Sequence, residues 1–175
     1  FQIMLAIENP DLPAFQRFGG NTAYVEGWAL YAESLGEELG LFTDPYQKQG
    51  NLDDEMLRAM RLVVDTGLHA KGWTRDQAIQ YMLDNSGMSR TDATAEVERY
   101  IAMPGQALAY KVGQLKIREL RTRAERALGP RFDVREFHAR VLEDGALPLS
   151  VLEAKIDRWI AEQGGRGPAR RRSAG

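Results

Sequence analysis

The chain has 175 residues, of which 43% are hydrophobic and 27% are charged, and its formal net charge at pH 7 is -2. These values are typical of a folded globular protein and exclude an intrinsically disordered chain. The near balance of charges excludes an overall basic field for nucleic-acid binding, and the absence of cysteine excludes disulfides and thiolate metal ligands.

Apolar residues recur at intervals of three and four along most of the chain, which predicts an all-α fold of several helices. The chain starts without Met inside such a pattern, FQIMLAIENP, so we expect it to be part of a longer protein. A first short helix is predicted to end near Asn9 and Pro10, and FGGN separates it from a helix over about residues 22–39. The predicted buried stripe of that second helix consists of Val25, Trp28, Ala32, Leu35 and Leu39.

Capping residues, glycines and prolines mark the ends of the helices in the rest of the chain. Six further helices are predicted, at about residues 51–72, 75–85, 90–102, 107–129, 134–144 and 150–163, the third of them capped by Ser89 or Thr91. The segment MPGQ is predicted to be a hinge, because Pro104 disfavours the helical conformation at Met103. Residues 1–164 are predicted to form one helical domain and residues 165–175 a disordered basic tail. No apolar run approaches the ~18 residues that would cross a bilayer.

A single carboxylate, Glu26, stands in the otherwise uncharged stretch from Ala23 to Ala32. Its position nearly opposite the predicted stripe is compatible with simple exposure to solvent. The residues around it are apolar on every side, however, and a buried carboxylate must be paired, protonated or bound to a metal. Glu33 lies two turns further along the same face, and Gly27 would let another backbone or a ligand come close. Both interpretations of Glu26 stay open on these observations.

Arg61, Asp65 and His69 are four residues apart and stack on one helix face. One interpretation is a surface pair of Arg61 and Asp65 with a histidine packed beneath it. The other is that Asp65 fixes the tautomer of His69, which then acts as a donor, acid or ligand in a cleft. His138 has charged neighbours on both sides and is predicted to be exposed.

Tyr100 and Tyr110 lie on either side of the hinge, and the segment from Ile101 to Tyr110 carries no charge. A tyrosine hydroxyl in such a place could donate a hydrogen bond to an oxyanion during acyl transfer. The alternative is a core tyrosine whose hydroxyl is satisfied within the protein.

Three phrases, GGNTAYVEGWALYAE, RLVVDTGLHAKGWTRDQAIQYM and ERYIAMPGQALAYKVGQLKI, resemble the C-terminal part of the domain of unknown function 885 family, over about residues 1–163. That family is similar to helical zinc peptidases of the gluzincin type, so the resemblance implies part of a mostly helical, zincin-like fold. In such enzymes a His-Glu motif supplies two ligands and the general base, and a later glutamate is the third ligand. Phe1 and Gln2 resemble the residues that follow this motif, which implies that the motif precedes the chain.

The resemblance also implies roles for individual residues. Glu26 matches the third zinc ligand, and Glu33 matches a carboxylate that supports it. His69 matches a contact to the substrate or the transition state, with Asp65 and Arg61 behind it.

Tyr110 resembles the tyrosine that such peptidases place over the oxyanion, with Tyr100 lining the same cleft. The resemblance therefore implies zinc-dependent hydrolysis of peptides by the complete protein, which is expected to be exported or periplasmic. This chain alone is expected to be inactive and to bind zinc only weakly, because it lacks the upstream segment that is its implied partner. The alternative is a non-catalytic helical module that binds a peptide or a partner helix in an aromatic groove. A third possibility is a degenerate fragment that folds only with that segment.

Overall fold

The computed structural model describes residues 2–165, and within that range it contains helices and no strands, so the predicted all-α fold is confirmed. The helices are α1 Gln2–Ile7, α2 Ala14–Phe18, α3 Thr22–Glu38, α4 Pro45–Ala70, α5 Arg75–Asp84, α6 Arg90–Ala102, α7 Ala109–Leu128, α8 Val134–Leu142 and α9 Leu149–Gly165. Short 3-10 turns precede and follow α7, at Gln106–Leu108 and Gly129–Arg131. None of the helices in this range combines the length and the hydrophobicity needed to cross a membrane.

Among the described residues, the chain divides into two compact units, one formed by residues 2–21 with 118–165 and the other by residues 22–117. In the first unit α1 packs on α2 and α8, and α8 packs on α9. Its core includes Phe137, Val141, Leu152, Ile156 and Trp159. The prediction of one domain over residues 1–164 stays a prediction, and the predicted basic tail lies, from residue 166 onward, outside the described residues.

The second unit contains all the predicted site residues. Here α5 and α6 pack on each other and on α4, and α3 also packs on α4. The buried cluster that these helices share consists of Met60, Val64, Ala78, Ile79, Met82, Ala93, Val97, Tyr100 and Ala107. Tyr100 is fully buried in this core.

Helix boundaries follow local capping chemistry. Thr74 closes a capping box with Gln77 at the start of α5, as the predicted helix start requires. The predicted start of α4 near residue 51 is wrong, because the Asp44 side chain accepts hydrogen bonds from the Tyr46 and Gln47 amides and Pro45 occupies the first turn. The helix therefore begins six residues earlier, which adds more than a turn to α4.

The buried face of α3 differs from the predicted stripe. Its buried residues are Tyr24, Gly27, Leu30, Tyr31 and Gly36. By contrast, Leu39 of the predicted stripe is 67% exposed. The prediction is wrong because several faces of this helix are apolar, so its neighbours decide which face is covered.

The neighbour that decides this is α7. A Cβ atom added to Gly27 would lie 2.4 Å from the Cα of Gly113, and one added to Gly113 would lie 1.8 Å from the carbonyl oxygen of Ala23. The backbones of α3 and α7 can approach this closely because both residues at the crossing are glycines and have no Cβ atom. The expectation that Gly27 admits another backbone is confirmed.

Candidate functional site

Five of the seven predicted site residues meet around the hinge between α6 and α7. We use the name hinge cluster for these five together with two residues that the sequence did not indicate. Its members are Arg61, Asp65, His69, Glu96, Tyr100, Gly105 and Tyr110.

Asp65 binds the backbone of the hinge. Its carboxyl group is almost completely buried, and both oxygens accept from the Gly105 amide at 3.1 Å. Gly105 has φ 79°, a conformation that suits glycine. The hydrogen bonds of Asp65 within residues 2–165 go to Gly105, so the two predicted pairings, with Arg61 and with His69, are wrong.

Replacing Asp65 by alanine is expected to loosen the hinge. The Gly105 amide loses its acceptor, and the free energy of unfolding should fall by about 1–2 kcal/mol. Hydrogen exchange at the Gly105 amide should accelerate at the same time. Asp84→Ala, which removes an exposed carboxylate bound to Gln80 on the same helix, is the control. Unchanged exchange at Gly105 in the Asp65 variant would contradict this role.

His69 contacts the end of α6 rather than Asp65. Its Nε2 atom lies 3.0 Å from the carbonyl oxygen of Tyr100. A carbonyl oxygen can only accept, so the proton is assigned to Nε2. Nδ1 then remains as the acceptor of the neutral ring, and the side chain is exposed on the surface of this unit.

Arg61 is a buried cation whose partners come from α6. It is 7% exposed, and it donates to a carboxylate oxygen of Glu96 from Nη2 at 2.9 Å and from Nε at 3.3 Å. Its Nε also donates to the Tyr100 hydroxyl at 3.1 Å, and that hydroxyl donates to Glu96. Arg99 is the third residue that donates to Glu96, at 3.3 Å. The sequence pattern did not single out Glu96, although Glu96 lies one helical turn before Tyr100, which places the two side chains next to each other.

The electrostatics of this network fix the Tyr100 proton. Burial raises the pKa of Tyr100 well above its ordinary value, the hydrogen bond to Glu96 raises it further, and Arg61 opposes both. Burial alone would raise the pKa of Glu96, but the hydrogen bond from Tyr100 and the charge of Arg61 outweigh it and hold that pKa below its ordinary value. Tyr100 therefore keeps its proton and donates a hydrogen bond to the ionised Glu96.

Tyr110 is placed differently from Tyr100. Its ring lies with the centroid 4.8 Å from the Arg61 guanidinium carbon, within the range of a cation-π contact. The ring is half-buried, and within the described residues its hydroxyl forms no hydrogen bond. Of the two tyrosines, Tyr110 is thus the one whose hydroxyl proton is available to a ligand.

Glu26 lies in α3 immediately before Gly27, at the close crossing with α7. It is half-buried, and within residues 2–165 its carboxylate has no hydrogen bond or ion pair. Tyr110 is three residues before Gly113, so both Glu26 and Tyr110 belong to the helical turns that meet at this crossing.

Glu33 is two turns further along α3 and faces the first half of α4. Partial burial raises its pKa, the positive charge of Arg58 opposes this, and the negative charges of Asp54 and Glu55 add to the increase. The carboxylate is therefore less acidic than an ordinary glutamate.

The predicted common cavity of Glu26, His69 and Tyr110 stays a prediction. Two cavities in this unit, of ≈ 380 Å³ and ≈ 310 Å³, are lined by other residues. In the described part of the chain, no three histidine, aspartate or glutamate side chains are grouped so that they could hold a metal ion.

The chain matches a protein family and several solved structures. The family model described as bacterial protein of unknown function (DUF885) matches residues 1–156. A crystal structure from Colwellia psychrerythraea, described as a "putative lipoprotein", shares 49% sequence identity with a TM-score of 0.90, and the match covers 92% of this chain and 28% of that one. A "putative lipoprotein of unknown function" from Shewanella oneidensis shares 27% identity with a TM-score of 0.80, over 87% of this chain and 28% of that one.

Among curated proteins no sequence matches the chain. The chain spans 28% of the length of each of the two solved relatives, so the similarity concerns one portion of proteins more than three times longer.

Proposed function

The chain belongs to the DUF885 family of bacterial proteins, and from this membership and the site geometry we propose that it is one part of a zinc-dependent peptidase. Its contribution to the metal is the carboxylate of Glu26. The observation that carries the proposal is the half-burial of this carboxylate without a partner among the described residues. A carboxylate withdrawn from water is stabilised when a cation neutralises it.

The residues present fit zinc in that they supply one of its ligands, the carboxylate of Glu26. A carboxylate oxygen is an accepted zinc ligand, but a peptidase site requires three protein ligands, and no such group occurs within residues 2–165. We therefore propose that the other ligands and the general base lie in the part of the longer protein outside this chain. When bound, zinc polarises the peptide carbonyl and lowers the pKa of water.

Within this chain Tyr110 is the proposed donor to the oxyanion that develops on the peptide carbonyl, because its hydroxyl proton is available. His69 is the proposed substrate contact, since it is exposed and one ring nitrogen is not bonded in the described residues. Tyr100, with its proton held by Glu96, supports the site from the core. Arg61 and Asp65 support it by binding α6 and the hinge.

The proposed substrate is a peptide and the proposed location is outside the cytoplasm. The name of lipoprotein given to both solved relatives supports an exported protein. The alternative is a binding module with an aromatic groove. Tyr100 is fully buried, so it lines neither such a groove nor the catalytic cleft in which it was predicted.

The test replaces Glu26 by glutamine in a longer protein, in which this chain takes the place of the matching segment of the Colwellia relative. We expect zinc affinity, measured by competition with a chelator, to fall at least about tenfold. Removing a residue that hydrogen-bonds to a zinc ligand already costs about tenfold or more, and removing the ligand itself should cost more. Hydrolysis of a mixed fluorogenic peptide library should fall with it.

Glu37→Gln is the matched control, because Glu37 lies on the same helix and is exposed in a pair with Lys48. Equal zinc affinity in the Glu26 and Glu37 variants would refute the ligand assignment. Binding of the peptides without zinc dependence or hydrolysis would favour the binding module instead.

A further inference from the structure

A line of uncharged residues runs along the surface of α4 from Leu52 to Ala70, beside the exposed Asp53 and Asp54. We call this line the α4 seam, and its residues are Leu52, Met56, Ala59, Val63, Thr66 and Ala70. Leu52 is 48% exposed, Met56 46% and Val63 38%. The Thr66 hydroxyl donates to the carbonyls of Leu62 and Val63 in its own helix, so it does not depend on water.

The spacing of the seam specifies the kind of partner. Its residues alternate at intervals of four and three, which is the repeat by which one helix packs along another. A neighbouring side of α4, about a quarter to a third of a turn from the seam, is already buried through Met60 and Val64. A helix at the surface of a complete protein normally has a charged outer side. With two apolar sides, α4 has the composition of a helix inside a larger assembly.

A cavity beside the seam has room for a side chain of a partner helix. Met56 lines the cavity of ≈ 310 Å³ together with Leu57, Met60 and Met88, and flexible methionines adapt to an inserted side chain. Asp53 lies at the same cavity, and its carboxylate accepts from the Gln49 amide with no cation beside it in the described residues. A partner helix with a bulky apolar residue and a nearby lysine or arginine fits this surface.

The length of the relatives indicates where such a helix comes from. The chain spans 28% of each solved relative, so most of a family-length protein lies outside it. We propose that the α4 seam packs against a helix from that remaining part. This inference does not depend on zinc or on hydrolysis.

The absence of cysteine provides a direct test. Val63→Cys places one thiol in the seam, and Val151→Cys places one on the exposed side of α9, where the valine is 46% exposed. Each is made in this chain alone and in the longer protein with the swapped segment, and the rate of maleimide labelling is followed by peptide mass mapping. Where the swapped protein does not fold, the position matching Val63 is replaced in the intact relative.

We expect the thiol at position 63 to react in the isolated chain at a rate similar to that at position 151. In the longer protein its rate should fall at least tenfold relative to that at position 151. An unchanged ratio would overturn the proposal. Protection that appears in the isolated chain and increases with its concentration would also overturn it, because the seam would then bind a second copy.

Discussion

Gly113→Ala is expected to destabilise the unit of residues 22–117 by about 2–4 kcal/mol, because the added methyl group would overlap the backbone of α3. The new Cβ would lie 1.8 Å from the carbonyl oxygen of Ala23 and 2.7 Å from the Cα of Gly27. Neither atom belongs to a side chain that could rotate away, so the two helices must separate. The higher helix propensity of alanine, about 1 kcal/mol, offsets only part of this cost.

The measurement is thermal unfolding followed by circular dichroism, where the midpoint should fall by roughly 5–10 °C. The matched control is Gly50→Ala, since Gly50 also lies inside a helix but has no atom within 4 Å of the added Cβ. The control should be neutral or stabilising. Equal midpoints for the two variants would show that the close approach of α3 and α7 is absent in solution.

Much of the fold could be predicted because helix periodicity and capping are local. Thr74, Ser89 and Asp133 cap the helices that follow them, as their side chains and neighbours indicate. The buried face of α3 could not be predicted in this way, because it depends on contact with Gly113, far away in sequence. The sequence of α3 offers several apolar faces, and only the partner helix selects one.

The same distinction between local sequence information and long-range contacts applies to the site. Spacing correctly predicted that Arg61, Asp65 and His69 share one face of α4, since that is a property of the helix itself. It could not predict their partners, because Glu96 is 35 residues from Arg61 and Gly105 is 40 residues from Asp65. A face of polar residues indicates that a partner exists, whereas its identity depends on tertiary packing.

Glu96→Gln is expected to lower the free energy of unfolding at pH 7 by about 2–3 kcal/mol, because the charged hydrogen bonds to Glu96 are lost and Arg61 stays buried without a counter-charge. The substitution keeps the size of the side chain, so packing changes little. The cation-π contact between Arg61 and Tyr110 should loosen as well, which a fluorotyrosine at position 110 would report as a broader or shifted ¹⁹F signal.

The effect should depend on pH in a defined direction. Since the folded-state pKa of Glu96 lies below its ordinary value of 4.5, its ionised form stabilises the fold fully above that pH. The contribution is lost as the pH falls through the lower folded-state pKa. The stability difference between the wild type and Glu96→Gln should therefore be constant near neutrality and shrink below pH 4.5. Glu33, whose raised pKa acts in the opposite direction, is common to both proteins and cancels in the difference.

Glu98→Gln is the matched control, because Glu98 lies on the same helix and pairs with Arg75 at the surface. A surface pair contributes little and is screened by salt, so this variant should unfold almost like the wild type at every pH. If both variants lose the same small amount of stability, Arg61 does not depend on Glu96 for its charge balance. A large loss for Glu96→Gln that persists unchanged below pH 4.5 would show that packing, and not the ionised carboxylate, holds Arg61 and through it the ring of Tyr110.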